Sequence, residues 1–165
     1  MKIRIHKKLN EELLNNVFTV IVPLKIKAIV NSDESKELFI KLREQISTKM
    51  INTVYEFLNE SLYSYLNDNK QNLEKQLNIE YINFSEIDVN ADEFYDVPII
   101  SGIAYFDVEI DKPVDKGRTK QLFNTLINDN VLYKEFTLTI EDESSIFNVN
   151  IILEKEHTVE LGSYI

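Results

Sequence analysis

The chain has no cysteine, which excludes disulfides and thiolate chemistry and leaves any zinc site to histidine and carboxylates. Histidine itself occurs only at His6 and His157. They stand at opposite ends of the chain, each on a strand-like segment with no recognisable nucleophile nearby. Arginine is confined to Arg4, Arg43 and Arg118, and the 165 residues carry a net charge of −10. Phosphate binding is driven by clustered Lys and Arg, so a nucleic-acid partner is not expected. No segment reaches the roughly 20 apolar residues of a membrane span. The start, Met1-Lys2-Ile3-Arg4-Ile5, alternates charge where a signal peptide would carry an apolar core. These absences point to a protein of the cytoplasm, or one assembled into a virion or particle, with no membrane contact and no cofactor.

What is present is organised around one stretch. Phe39, Leu42, Ile46, Met50, Val54, Phe57, Leu58, Leu62 and Tyr65 recur every three or four residues from Asn31 to about Asn67, and that spacing lines one face of a helix. Ser32, Asp33 and Glu34 supply a capping oxygen and negative charge at its N-terminal end. Such a helix would be on the order of 50 Å long, more than the diameter of a compact domain of this size. It must break near Asn67 or project. Ile40, Ile51, Tyr55 and Tyr63 widen its apolar face beyond a coiled-coil seam, which favours packing across a sheet.

The rest reads as strands. Met1, Ile3 and Ile5 make a short alternating segment, and Asn10-Glu11-Glu12 opens a helical turn carrying Leu13, Leu14 and Val17. From Phe18 to Val30 the period is two, with Pro23 demanding a bulge, a kink or an edge position. After a further helical turn or two before Asn78, residues 79–91 read as a strand with an irregularity near Asn83. Asp92 to Pro98 reads as a polar connection. Ile100, Ala104, Phe106, Val108 and Ile110 form a second clean strand, with Tyr105, Asp107, Glu109 and Asp111 on its other face. A short helix over 115–129 and a hairpin with an acidic tip at 141–145 complete the pattern.

This order predicts one α+β domain over residues 1–165: a two-layer sandwich with a mainly antiparallel sheet, one long and one short helix, and a ferredoxin-like βαββαβ core with extra strands. Its first and third core strands would be antiparallel neighbours, setting Lys25 and Lys27 beside Asp107 and Glu109.

Charge is the strongest functional signal. Residues 1–30 carry +4, whereas residues 79–111 carry −9 with no Lys or Arg at all. Glu86, Asp88, Asp92, Asp107, Glu109 and Asp111 in that tract, with Lys25 and Lys27 opposite them, are the candidate partner-binding residues.

Catalytic and metal signals fall short. Asp88, Asn90 and Asp92 have the spacing that opens an EF-hand loop, but Glu93 stands where the turn needs Gly and Ile99 where a bidentate Glu is needed. Lys112, Lys116, Arg118 and Lys120 surround Gly117 ahead of the second helix, where an anion could sit, yet no P-loop signature is present. Ser101-Gly102 lacks the first glycine of a nucleophile elbow.

The expectation is therefore a non-catalytic assembly subunit acting through protein–protein contacts, such as a phage or injection-machine component, and a homo-oligomer. Its basic beginning and acidic later segments would suit packing of identical subunits. The alternative is a monomeric acidic inhibitor or immunity-type protein that blocks a basic surface of its partner.

Overall fold

The computed structural model describes residues 12–142 and 145–163. The expected strand at Met1, Ile3 and Ile5 lies outside the described residues, as do His6, Asn10, Glu11 and the tip residues Glu143 and Ser144. The elements run β1 (Leu13–Leu14), β2 (Val17–Ile29), α1 (Asp33–Phe57), a π-helical turn (Leu58–Leu62), α2 (Tyr63–Asp68), α3 (Lys70–Leu77), β3 (Ile82–Phe84), β4 (Asp88–Ala91), β5 (Ile99–Ile110), β6 (Val114–Asp115), α4 (Lys116–Leu126), β7 (Tyr133–Asp142), β8 (Ser145–Lys155) and β9 (Glu160–Ser163).

Among the described residues the fold is α+β with a curled, antiparallel sheet of seven strands built around β2. On one side β2 pairs with β5 along nearly its whole length; on the other it pairs with β8 and then β9. β3 and β4 share the far side of β5, and β7 closes the opposite edge on β8. Leu13 and Leu14 are not helical: they pair with β6 in a separate two-stranded sheet.

Pro23 sits in the central strand, not at an edge. Its carbonyl accepts from the Glu156 N–H at 2.9 Å, on the β8/β9 side. A strand residue directs its N–H and C=O to the same neighbour, so the donor that Pro23 lacks falls in the gap between β8 and β9. The interruption expected of proline is carried by the neighbouring strand. At that gap the chain turns aside, and Asn124 Oδ1 accepts from the Val159 N–H at 2.8 Å.

The strand ahead of β5 is also broken, at Ser85–Ile87 rather than near Asn83, and side chains make up the lost ladder. The Asn59 amide accepts from the Ile87 N–H at 3.0 Å and donates to the Ile87 carbonyl at 2.9 Å, imitating a strand partner. Ser85 Oγ accepts from the Asp107 N–H at 2.8 Å.

The long helix forms where its spacing places it. Ser32 caps it by accepting from the Ser35 N–H, with Asp33 and Glu34 in the first turn. Its buried apolar residues are Phe39, Leu42, Ile46, Met50, Val54, Leu58, Leu62 and Leu66. From Ile46 onward the step is four, longer than the 3.6 of an α-helix, so the stripe would drift off its face. The π turn at Leu58–Leu62 takes up the excess and brings Leu66, not Tyr65, into the core. The helix does not project. It pauses at Asn69, resumes as α3 with Leu73 buried, and ends at Asn78 in the left-handed region (φ 55°). There the Ile79 N–H reaches the Glu74 carbonyl and the Asn78 N–H reaches that of Lys75, a Schellman closure.

One helix touches both edges of the sheet, which is how the curl is known. On the β7 side Phe57 packs edge-on against Phe136 at 5.6 Å, and Lys49 Nζ donates to the Thr139 carbonyl. On the other side Phe39 meets Phe94 at 5.3 Å and Tyr63 donates to the Phe84 carbonyl. Phe94 lies in the connection expected to be polar, yet it is fully buried, and its N–H donates to buried Ser47 Oγ at 3.0 Å. The sheet therefore wraps α1. Lysine contacts on β7 also blunt an edge that could otherwise recruit another strand. At one end of the trough α4 adds Phe123, which meets Phe18, Phe84 and Phe106 at 6.2–6.4 Å. No helix among the described residues is long and apolar enough to cross a membrane.

Candidate functional site: the open face of the sheet

Because side chains alternate along a strand, β2 and β5 each have a buried row and an outward row. On β2 the outward residues are Thr19, Ile21, Pro23, Lys25 and Lys27; the register sets Asp107, Tyr105, Ile103, Ser101 and Ile99 of β5 opposite them in that order. Among the described residues no helix covers this side. Ile99, Ile103 and Tyr105 are each about two-fifths exposed, at 42%, 44% and 38%. An apolar strip in the middle of an uncovered sheet face is the feature that calls for explanation.

The candidate residues are distributed over this face differently from the expectation. Lys25 lies opposite Ser101, and Lys27 opposite Ile99. Asp107 lies opposite Thr19 and Glu109 opposite Val17, so the lysines stand at least six residues, about 20 Å or more, from the acids they were expected to adjoin. The neighbours are antiparallel as predicted, but the register moves the charges apart. Lys25 instead has Glu154 of β8 across the strand at 4.0 Å. Thr19 donates to Asp107 Oδ1 at 2.9 Å.

The acids ahead of β5 are spread along its far side. Asp88 faces Tyr105, Glu86 falls in the break between β3 and β4, and Asp92 follows the end of β4. Asp111 leaves the row altogether. It lies just past β5, and its carboxylate accepts from the Glu80 and Tyr81 N–H groups at 3.0 and 3.2 Å. Desolvation works to raise its pKa, but hydrogen bonds from the N–H groups of Tyr81, Asp111 itself and Glu80, with Lys112 nearby, outweigh it and hold the carboxyl below its ordinary value. Asp111 is a tether for the turn after α3. Tyr81 in turn is raised, by desolvation and then by the charges of Glu109 and Asp111.

The other sequence signals resolve locally. Asp88 and Asn90 alternate along β4 and point outward in a row instead of converging as calcium ligands must. Among the described residues no three His, Cys, Asp or Glu side chains are grouped to hold a metal. At the start of α4, Asp115 Oδ1 accepts from the Arg118 N–H at 2.7 Å and the Glu12 carbonyl accepts from that of Lys116. Amides that an anion would need are thus engaged within the chain, and Lys120 lies 3.3 Å from Glu160. His157 is exposed beside Glu156 at 3.9 Å. The hollow on the open face, bordered by Asn90, Asp92, Ser101 and Ile103, has a volume of about 170 Å³, below the roughly 300–1,000 Å³ of small-molecule sites.

Sequence reasoning had marked the charges of this face but missed its centre. Ile21, Pro23, Ile103 and Tyr105 share the parity of the charged residues, which was the available signal. Comparison with family models, curated proteins and solved structures gives no match for this chain.

Proposed function

We propose that this chain is a non-catalytic subunit that acts through protein–protein contact and assembles with copies of itself, in a larger particle of the phage or injection-machine kind or in the cytoplasm. The observation that supports the reading is the uncovered sheet face, whose middle is apolar and whose ends carry opposite charge. Apolar side chains in a contiguous exposed patch are stabilised by burial against a partner, and the flanking charges set its orientation. Within the same reading, we take the architecture as two layers elaborated on a ferredoxin-like core, with β2, the β3–β4 pair and β5 as its first three strands. β8 then takes the place of the fourth and β7 is added outside it.

A second reading is favoured by the acids Asp88, Asp107, Glu109, Glu154 and Glu160 on or beside the same face: a monomeric inhibitor or immunity-type protein that covers a basic surface. Light scattering on the purified protein separates the two. A mass of two or more chains supports assembly, and a single-chain mass at every concentration favours the inhibitor.

A further inference from the structure

We propose that the open face packs against the same face of a second copy of this chain, about a two-fold axis that crosses β2 between Ile21 and Pro23. This rests on the assembly reading and adds the partner, the surface and the pairing. Along β2 and β5 the outward residues pass from acidic, at Glu109 and Asp107, through apolar Tyr105 and Ile103, to basic Lys25 and Lys27. A two-fold axis lying in the interface and midway between Ile21 and Pro23 exchanges position 19 with 25 and 17 with 27. Lys25 of one copy then faces the other copy at Thr19, beside Asp107. Lys27 faces it at Val17, beside Glu109. Ile21 and Tyr105 stack on Pro23 and Ile103. Every contact occurs twice, so the contact is self-complementary and closed.

Of the three further acids on or beside this face, two have a basic neighbour in their own chain: Glu154 lies 4.0 Å from Lys25, and Glu160 lies 3.3 Å from Lys120; the third, Asp88, stands on β4 beside Tyr105, at the rim of the contact. A polybasic partner would satisfy the acids but would set like charge against Lys25 and Lys27 in the same surface. A second copy supplies both signs. The curl limits the contact to the crest of the sheet, two strands wide and about 35 Å long, or roughly 500 Å² per copy. That is at the small end for specific interfaces, so the pair is weak and reversible.

The test uses two charge-reversed full-length proteins, one carrying Lys25→Glu and Lys27→Glu, the other Asp107→Lys and Glu109→Lys. Each alone sets like charges across the axis, whereas an equimolar mixture restores every pairing, half with the native signs and half with the signs exchanged. Sedimentation velocity at moderate ionic strength should show wild type in a concentration-dependent dimer equilibrium. Each variant alone should self-associate at least tenfold more weakly, and the mixture should regain wild-type dimer. Recovery on mixing requires both variants to be folded. Ile103→Ser with Tyr105→Ser, neutral in charge, should lose association with an unchanged circular dichroism spectrum. Association of either charge-reversed variant at wild-type strength, or a mixture that stays monomeric, overturns the face-to-face pair while leaving assembly through another surface. A wild-type protein that is monomeric at every concentration removes the assembly reading and this proposal together. A monomer that binds oligolysine, and binds it more weakly with Asp107→Lys and Glu109→Lys, assigns the face to a basic partner in place of a second copy.

Discussion

The two faces of β2 and β5 are made by the same thirteen- and twelve-residue strands, yet they differ in almost every physical respect. Facing the helix are Phe18, Val20, Val22, Leu24 and Ile26 with Ala104, Phe106 and Val108, all essentially without solvent contact. Facing out are threonine, isoleucine, proline, lysine, tyrosine and aspartate, all partly or well exposed. The inner face is uniform because any large apolar side chain against the helix contributes to stability, and mixing in charge there would carry a desolvation cost with no partner. The outer face is graded in charge, and stability alone does not require a gradient. The comparison teaches that the inner row holds the fold and the outer row is free to encode a contact.

The sharpest way to break that contrast is to truncate neighbours of opposite parity. Phe106→Ala should destabilise by about 3–5 kcal/mol, since the ring is buried among Phe84 and Phe123. Tyr105→Ala, one residue away and outward, should cost under about 1 kcal/mol. Urea unfolding of the two variants reads the difference directly. A comparable loss in both would show that the outer row is also core.

A smaller effect is expected where a side chain substitutes for a strand. Asn59→Ala leaves the N–H and C=O of Ile87 without their partners, and should cost about 1–3 kcal/mol. Hydrogen exchange should speed at Ile87 first. On the helix, Val54→Ala removes two buried methyl groups and should cost about 1–2 kcal/mol. An unchanged denaturation midpoint would contradict the helix's place in the trough.

Asp111 sharpens the comparison from the acidic side, because its carboxylate accepts from two backbone N–H groups. Its folded pKa is lowered, so its contribution is present above the unfolded value and is lost as the pH falls through the folded one. Asp111→Asn should therefore be less stable than wild type near neutrality, and the gap should close in acid. Equal pH profiles for Asp111→Asn and wild type would remove the tether.

Much of this architecture was legible in the sequence because burial is written in periodicity. β2, β5 and the helical stripe from Phe39 to Leu62 all follow from spacing. Register was not legible. Parity fixes which face a residue joins, but sliding one strand by two residues conserves parity, so Lys25 could not be told from a neighbour of Asp107. Leu66 was passed over for Tyr65 because a π turn changes the helical count midway. Phe94 was missed because a single aromatic in a polar connection has no period. The break at Ser85–Ile87 was misplaced because its hydrogen bonds come from Asn59 and Ser85 side chains that no local pattern announces. Of the candidate site, the charged residues were legible as a run of one sign, and the apolar centre was not, since Ile21, Pro23, Ile103 and Tyr105 are scattered over two strands that only the register brings together.

The division of labour between the two faces is tested most directly by one protein measured in two ways: Ile103→Ser with Tyr105→Ser, read by sedimentation velocity and by thermal unfolding. The account predicts loss of self-association with a melting temperature close to that of wild type. A variant that melts far below wild type, or one that associates as wild type does, would contradict it.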